Sequence, residues 1–173
     1  MRIVKFLLLA TMIIGVTGLA SAATWTLANS NGGDGYVVTT TNGFDLFGAD
    51  NGFGNNYTTY TETIASPGNY SFLWSYITHD CCGSVWDPAG YVLNGSYTQL
   101  STNCSVQFTC DTSGTLNLVL SAGDVFGFYV YSPDSILGRG EIDVPPVPEP
   151  GTLALLGTGL LAGVGVIRRK LML

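Results

Sequence analysis

Tyr70, Phe72, Trp74 and Tyr76 alternate with Ser71, Leu73 and Ser75 along one short run. That spacing constrains the fold more than any other feature of the chain. Side chains of an extended strand point to opposite faces in turn, so a period of two places all four rings on one side. A helix would scatter them around its circumference. The other face, with Ser71, Leu73, Ser75 and Ile77, is half polar. A strand with one face on a core and one towards water reads this way.

Other segments repeat the signal. Residues 115–120 align Leu116, Leu118 and Leu120. Residues 124–131, DVFGFYVY, form a mostly apolar run of β formers and read as a strand buried on both faces. Residues 91–93 and 96–100 flank Asn94-Gly95, which supplies the two positive-φ positions of a type I′ hairpin. Shorter strand candidates are 36–41, 56–64 and 106–109, and the Gly- and Asn-rich segments 31–35 and 49–56 read as surface loops. No amphipathic helical stretch lies between 23 and 144. About eight strands at this spacing imply an all-β domain, an antiparallel β-sandwich or jelly roll.

The charges are unevenly placed. Arg2, Lys5, Arg168, Arg169 and Lys170 sit at the ends, and between Ala23 and Pro150 Arg139 stands alone against all 12 acidic residues. Such a surface repels phosphate backbones, so nucleic acid is not an expected partner. Asp80, Asp87 and Asp134 each lie in an expected loop beside a strand end. Hard carboxylate oxygens in loops suit calcium, which makes these three the candidate metal ligands. The competing reading is that aspartate favours turns for backbone reasons.

The ends carry targeting features. Arg2 and Lys5 precede an apolar run over 6–16, and Ala20-Ser21-Ala22 has the small residues of a cleavage site. Residues 1–22 therefore read as a signal peptide removed by signal peptidase, with 23–144 as the exported domain. Residues 145–151, with Pro145, Pro146, Pro148 and Pro150, form a stiff extended spacer. Residues 152–167 hold no charge and begin a segment, 152–173, that reads as a transmembrane helix rich in small residues. Arg168, Arg169 and Lys170 close it as a stop kept in the cytoplasm.

Val147-Pro148-Glu149-Pro150, the Gly-rich apolar segment and the closing basic cluster closely resemble the PEP-CTERM sorting signal of exported bacterial proteins. The resemblance implies processing by an exosortase-type membrane protease. It also implies anchoring by the C-terminal helix until then, and a destination at the cell surface or in an extracellular matrix beside polysaccharide. Trp74-Ser75-Tyr76-Ile77-Thr78-His79-Asp80 and Trp86-Asp87-Pro88-Ala89-Gly90-Tyr91 resemble an exported β-domain that often precedes such tails. That likeness implies architecture and destination, not an activity.

The expected role is that of a non-enzymatic surface or matrix protein. The alternative is a secreted glycan-binding module with the same delivery. Trp74, Tyr76, Trp86, Tyr91 and Tyr97 are rings of the kind that stack on sugars, although most alternate as core residues do. Trp86, beside Val85 and Asp87-Pro88, is the one best placed for exposure. His79 beside Asp80 is the single histidine, and no G-x-S-x-G elbow accompanies it, so catalysis is not expected.

Cys81, Cys82, Cys104 and Cys110 all lie in the exported part, where an oxidising space favours disulfides. A bridge between neighbours 81 and 82 strains the backbone, which favours the two cross-pairings that tie the loop after Trp74 to the 104–110 segment. Zinc is the other reading, but the C-x₂-C spacing is missing.

The sorting signal has a direct test. Replacing Pro148, Glu149 and Pro150 together by alanine is expected to leave the C-terminus uncleaved and the protein membrane-bound. Identical mature C-termini in variant and wild type, read by mass spectrometry, would sink the sorting reading.

Overall fold

Ten strands form along the chain: β1 Thr26–Asn29, β2 Tyr36–Thr39, β3 Phe44–Phe47, β4 Asn56–Thr63, β5 Gly68–Thr78, β6 Ala89–Leu93, β7 Ser96–Gln99, β8 Thr112–Leu120, β9 Val125–Ser132 and β10 Gly140–Val144. The structure is a computed structural model that describes residues 24–41, 43–105 and 110–145. The expected signal peptide, the helix over 152–173 and the strand at 106–109 lie outside the described residues. Among the described residues no helix is long and apolar enough to cross a membrane.

The strands make two five-stranded sheets, ordered β1-β4-β9-β6-β7 and β2-β3-β10-β5-β8. Every pairing is antiparallel. Their inner faces share one core, so the domain is the expected all-β sandwich. Alternation decides which side chains enter it. On β5, Phe72, Trp74 and Tyr76 are buried while Ser71, Leu73 and Ile77 face water. On β9, Phe126, Phe128 and Val130 point inward and are fully buried. Tyr129 on the reverse face is also covered, as expected for a strand flanked on both sides.

The rings interlock in the geometries that aromatic quadrupoles favour. Phe72 stacks on Phe126 with centroids 4.7 Å apart and meets Phe128 edge-on at 5.8 Å. Phe44 from β3 reaches Phe128 at 6.0 Å. The Asn94-Gly95 hairpin forms as expected, with φ of 51° and 80°.

Three strands escape the sequence pattern. β1 is a short, exposed edge strand with no apolar alternation. β3 and β10 alternate aromatic or aliphatic with acidic residues, and pairing sets Asp45 opposite Asp143. Strand β8 starts earlier than its leucines suggest. Its Gly114 lies opposite Trp74, and a Cβ there would sit 3.1 Å from the indole, so the tryptophan occupies the place of a side chain. The loop over 49–56 is not wholly superficial either. Ala49 and Asn56 are fully buried because the segment folds over one end of the sandwich.

Phe128→Ala removes the ring that three other aromatics touch. It is expected to cost about 3–5 kcal/mol, the range for large-to-small changes in close-packed cores. A urea midpoint that hardly moves would show that the core does not depend on this contact.

Candidate functional site

The alternation that builds the core does not stop where the apolar residues do. Past Tyr76 the inward position on β5 becomes Thr78, Asp80 is buried just beyond the strand, and past Val130 on β9 the inward position becomes Ser132. Asn56 and Thr58 enter from β4. One end of the interior is therefore lined by polar side chains, with Asn56, Asp80, Asp87, Ser132 and Ser135 at most 1% exposed.

Some of these groups satisfy one another. The Tyr76 hydroxyl donates to the Asp87 carbonyl at 2.8 Å, and Ser132 Oγ donates to Asp87 Oδ1 at 2.9 Å. Asn56 Nδ2 donates to Ser135 Oγ at 3.0 Å. The Cys82 amide donates to Asp80 Oδ1. Asn56 Oδ1, Asp87 Oδ2 and Asp134 Oδ1 are buried without a partner. The nearby base does not relieve them. Arg139 donates to both oxygens of Asp34, at 3.1 and 2.7 Å, and to the Gly48 carbonyl. It also lies over the Tyr36 ring.

Burial without a counter-charge moves the carboxyl groups. Asp87 is pushed up to about 8, chiefly by burial; the Ser132 hydroxyl and the Gly140 amide oppose this, and the charges of Asp80 and Asp134 add to it. Asp80 is raised too, first by burial, with the Cys82 amide opposing and Asp134 and Asp50 adding repulsion. The three aspartates singled out from the sequence thus share one end of the sandwich. Sequence reasoning missed Asn56, which read as the end of a surface loop and the start of a strand and not as a buried polar group.

The cysteines depart from expectation. Cys104 and Cys110 bridge to each other, with Cα atoms 6.1 Å apart, inside the range a disulfide spans. The cross-pairings to Cys81 or Cys82 do not form. Bonds through the Ser84 side chain do that tying instead: Ser84 Oγ donates to the Thr102 carbonyl at 2.6 Å, and the Cys104 amide donates to Ser84 Oγ at 2.9 Å. Cys81 and Cys82 stand side by side with sulfurs 2.6 Å apart. With Asp80 they form a compact set of ligand-type atoms within 4.8 Å. The Cys81 thiol is pushed up to about 11, first by its bond to Cys82, which disfavours the thiolate that metals need.

His79 and Asp80 lie just past the end of β5, His79 exposed and Asp80 buried. His79 Nε2 meets Glu141 Oε2 at 2.8 Å on the outer face, and Asp80 turns inward. That outer face holds a shallow depression of about 490 Å³ whose lining includes Asp45, Asp111, Glu141 and Asp143. Burial and the neighbouring Asp143 raise Asp45.

The outer face of the other sheet is aromatic. Tyr57 and Tyr131, register partners on β4 and β9, stack at 4.4 Å. Tyr97 from β7 leans onto Tyr57 at 4.5 Å and is 46% exposed. Of the rings noted in the sequence, Trp74 and Tyr76 are buried, Tyr91 packs on the core, and Trp86 is 41% exposed. Tyr57 and Tyr131 were not legible, because a strand pairing across more than seventy residues brings them together.

Beyond Val144, residues 146–170 match the PEP-CTERM protein-sorting motif. The chain carries a PEP-CTERM sorting signal. The motif marks it as an exported protein. No curated protein matches this chain. Among solved structures it is similar to a family 35 carbohydrate binding module from an environmental isolate, at 18% identity and a TM-score of 0.41, covering 76% of this chain and 96% of that one. A family 35 module from Clostridium thermocellum is similar at 13% identity and 0.39, covering 72% and 100%. A carbohydrate binding module of Cellvibrio mixtus lichenase 5A, in complex with cellotriose, is similar at 18% and 0.34, covering 70% and 91%. At these scores the likeness carries no argument about function.

The buried acids set a pH dependence. Asp87 has a folded pKa near 8, above its unfolded value, so its contribution is fully present below about pH 4 and lost as pH rises through the folded value. Asp80 is raised in the same sense. In chelator, the melting temperature is expected to fall as pH rises from about 5 to about 8, and Asp87→Asn is expected to flatten part of that slope. A wild-type melting temperature that climbs across this window would contradict the assignment.

Proposed function

We propose that this chain is a non-enzymatic protein of the bacterial cell surface or extracellular matrix, delivered through its PEP-CTERM signal. The observation that carries the reading is the position of that signal immediately after the last strand. Strand β10 ends at Val144, and the matched motif starts two residues on. The strand begins at Gly140 beside Asp87 and ends at Val144 opposite Phe44. The chain therefore leaves the sandwich at the end opposite the buried acids. In this reading signal peptidase removes 1–22, and residues 152–173 hold the protein in the membrane with Arg168, Arg169 and Lys170 inside. An exosortase-type membrane protease then acts on the tail around Val147, Pro148, Glu149 and Pro150. The domain is left facing outward, with its oxygen-rich end directed away from the attachment point.

A second reading rests on the tyrosines. Sugar rings present C–H faces that stack on aromatic side chains, and the Tyr57, Tyr97 and Tyr131 cluster is such a surface on an open sheet face. It supports binding to extracellular polysaccharide as the way the protein is retained outside the cell.

Titration against polysaccharide isolated from the producing cells separates the readings. The glycan reading expects saturable binding that Tyr97→Ala weakens at least about tenfold, on the order of the 1.4 kcal/mol that a tenfold change represents. Binding that Tyr97→Ala leaves unchanged would remove the tyrosine face as the site. No binding would leave the matrix protein without a glycan-binding role. Recovery of the protein only from the cytoplasm would overturn both readings.

A further inference from the structure

Among the described residues, four buried side-chain polar atoms have no hydrogen-bond partner, and three of them, Asn56 Oδ1, Asp87 Oδ2 and Asp134 Oδ1, belong to residues in or bonded to the turn that follows β9. Asn56 lies opposite Ser132 in the pairing of β4 with β9, and its amide nitrogen bonds to Ser135. Ser132 bonds to Asp87. The Asn55 amide donates to the Pro133 carbonyl at 2.8 Å, which fixes the turn that carries Asp134. Ser135 holds that turn with a left-handed φ of 54°. All three orphan atoms are acceptors, and Asn56 and Asp87 are at most 1% exposed.

Buried acceptors need a donor or a cation, and two carboxylates under the field of a third call for positive charge. Arg139 is committed to Asp34 and Gly48. The unpartnered set is oxygen only: two carboxylates and one amide carbonyl. Such a set suits a hard divalent ion, and its origin in three separate segments of the chain suits calcium, which accepts flexible geometry, better than magnesium, which demands a near-ideal octahedron. The thiols of Cys81 and Cys82 are not needed.

We propose that Asn56, Asp87 and Asp134 form a calcium site that closes this end of the sandwich. Asp80 contributes charge from the adjoining loop, where its Oδ1 is engaged by the Cys82 amide. This goes beyond the sorting role and stands or falls separately from it. The ion would bind the folded state alone and stabilise it by mass action.

The test uses the full-length chain in detergent, stripped with chelator. Tyr76 donates to the Asp87 carbonyl, so a terbium ion at the site has an aromatic sensitiser in contact with a ligand residue. Terbium emission excited through the aromatics is expected, displaced by calcium with a midpoint on the order of 10⁻⁴–10⁻³ M, as for extracellular calcium modules. Calcium is expected to raise the melting temperature by several degrees and magnesium by much less. Asp87→Asn and Asp134→Asn are expected to weaken calcium at least tenfold. Asp111→Asn, on the exposed outer face, is expected to change nothing. Should Asp87→Asn fail to fold, Asp134→Asn in the less buried turn decides. Two results would overturn the proposal: a melting temperature unmoved up to about 10 mM calcium, which means water fills the site, or full calcium affinity in Asp134→Asn, which places the ion elsewhere.

Discussion

The packing of β5 against β9 across the sandwich is the contact on which the rest depends. Phe72 of one strand stacks on Phe126 and meets Phe128 of the other. A one-residue slip of either strand would turn these rings to water and bring Ser71 or Gly127 into the core. The register is therefore held by the aromatic half of each strand. The polar half has no choice but to follow, and Thr78, Asp80 and Ser132 are carried inward by the same alternation. A side chain such as Asp80, costly to bury, stays buried because releasing it would unseat Trp74 and Tyr76.

This coupling explains why the two ends of one interior differ so much. At the end where β10 finishes, Phe44, Trp25 and Tyr60 pack ring against ring. At the other, Asn56, Asp87 and Asp134 each leave a buried oxygen without a partner. Arg139 sits close by, yet its bidentate grip on Asp34 and its bond to Gly48 hold the strand-edge loops together instead. An exported domain built this way has one aromatic end, where β10 runs out towards the sorting signal, and one oxygen-rich end away from it.

Much of the fold was legible from local pattern. The four-ring alternation of β5, the run of β9 and the Asn94-Gly95 turn each express a rule that acts over a few residues. β3 and β10 were not legible, because Asp45, Glu141 and Asp143 break the apolar pattern and become tolerable only on the solvent face of a sheet. The cysteine pairing failed for a related reason. Proximity of the 81–86 loop to Cys104 was correctly read, but hydrogen bonds through Ser84 provide it, and the disulfide closes locally between Cys104 and Cys110.

The sequence by itself determined the class of fold and the export tail, since strand period and motif order are properties of the chain read in a line. Which acids lose water, and which rings keep it, was decided by tertiary structure. Asp80, Asp87 and Asp134 came within reach of one another's charge because β5 ends, β6 begins and β9 ends on the same side of the sandwich. Asn56 joined them through the pairing of β4 with β9, and Tyr57 met Tyr131 by that same pairing. The physical reason is that burial and register belong to pairs of strands far apart in the chain, and no single strand carries the information about what will lie across from it.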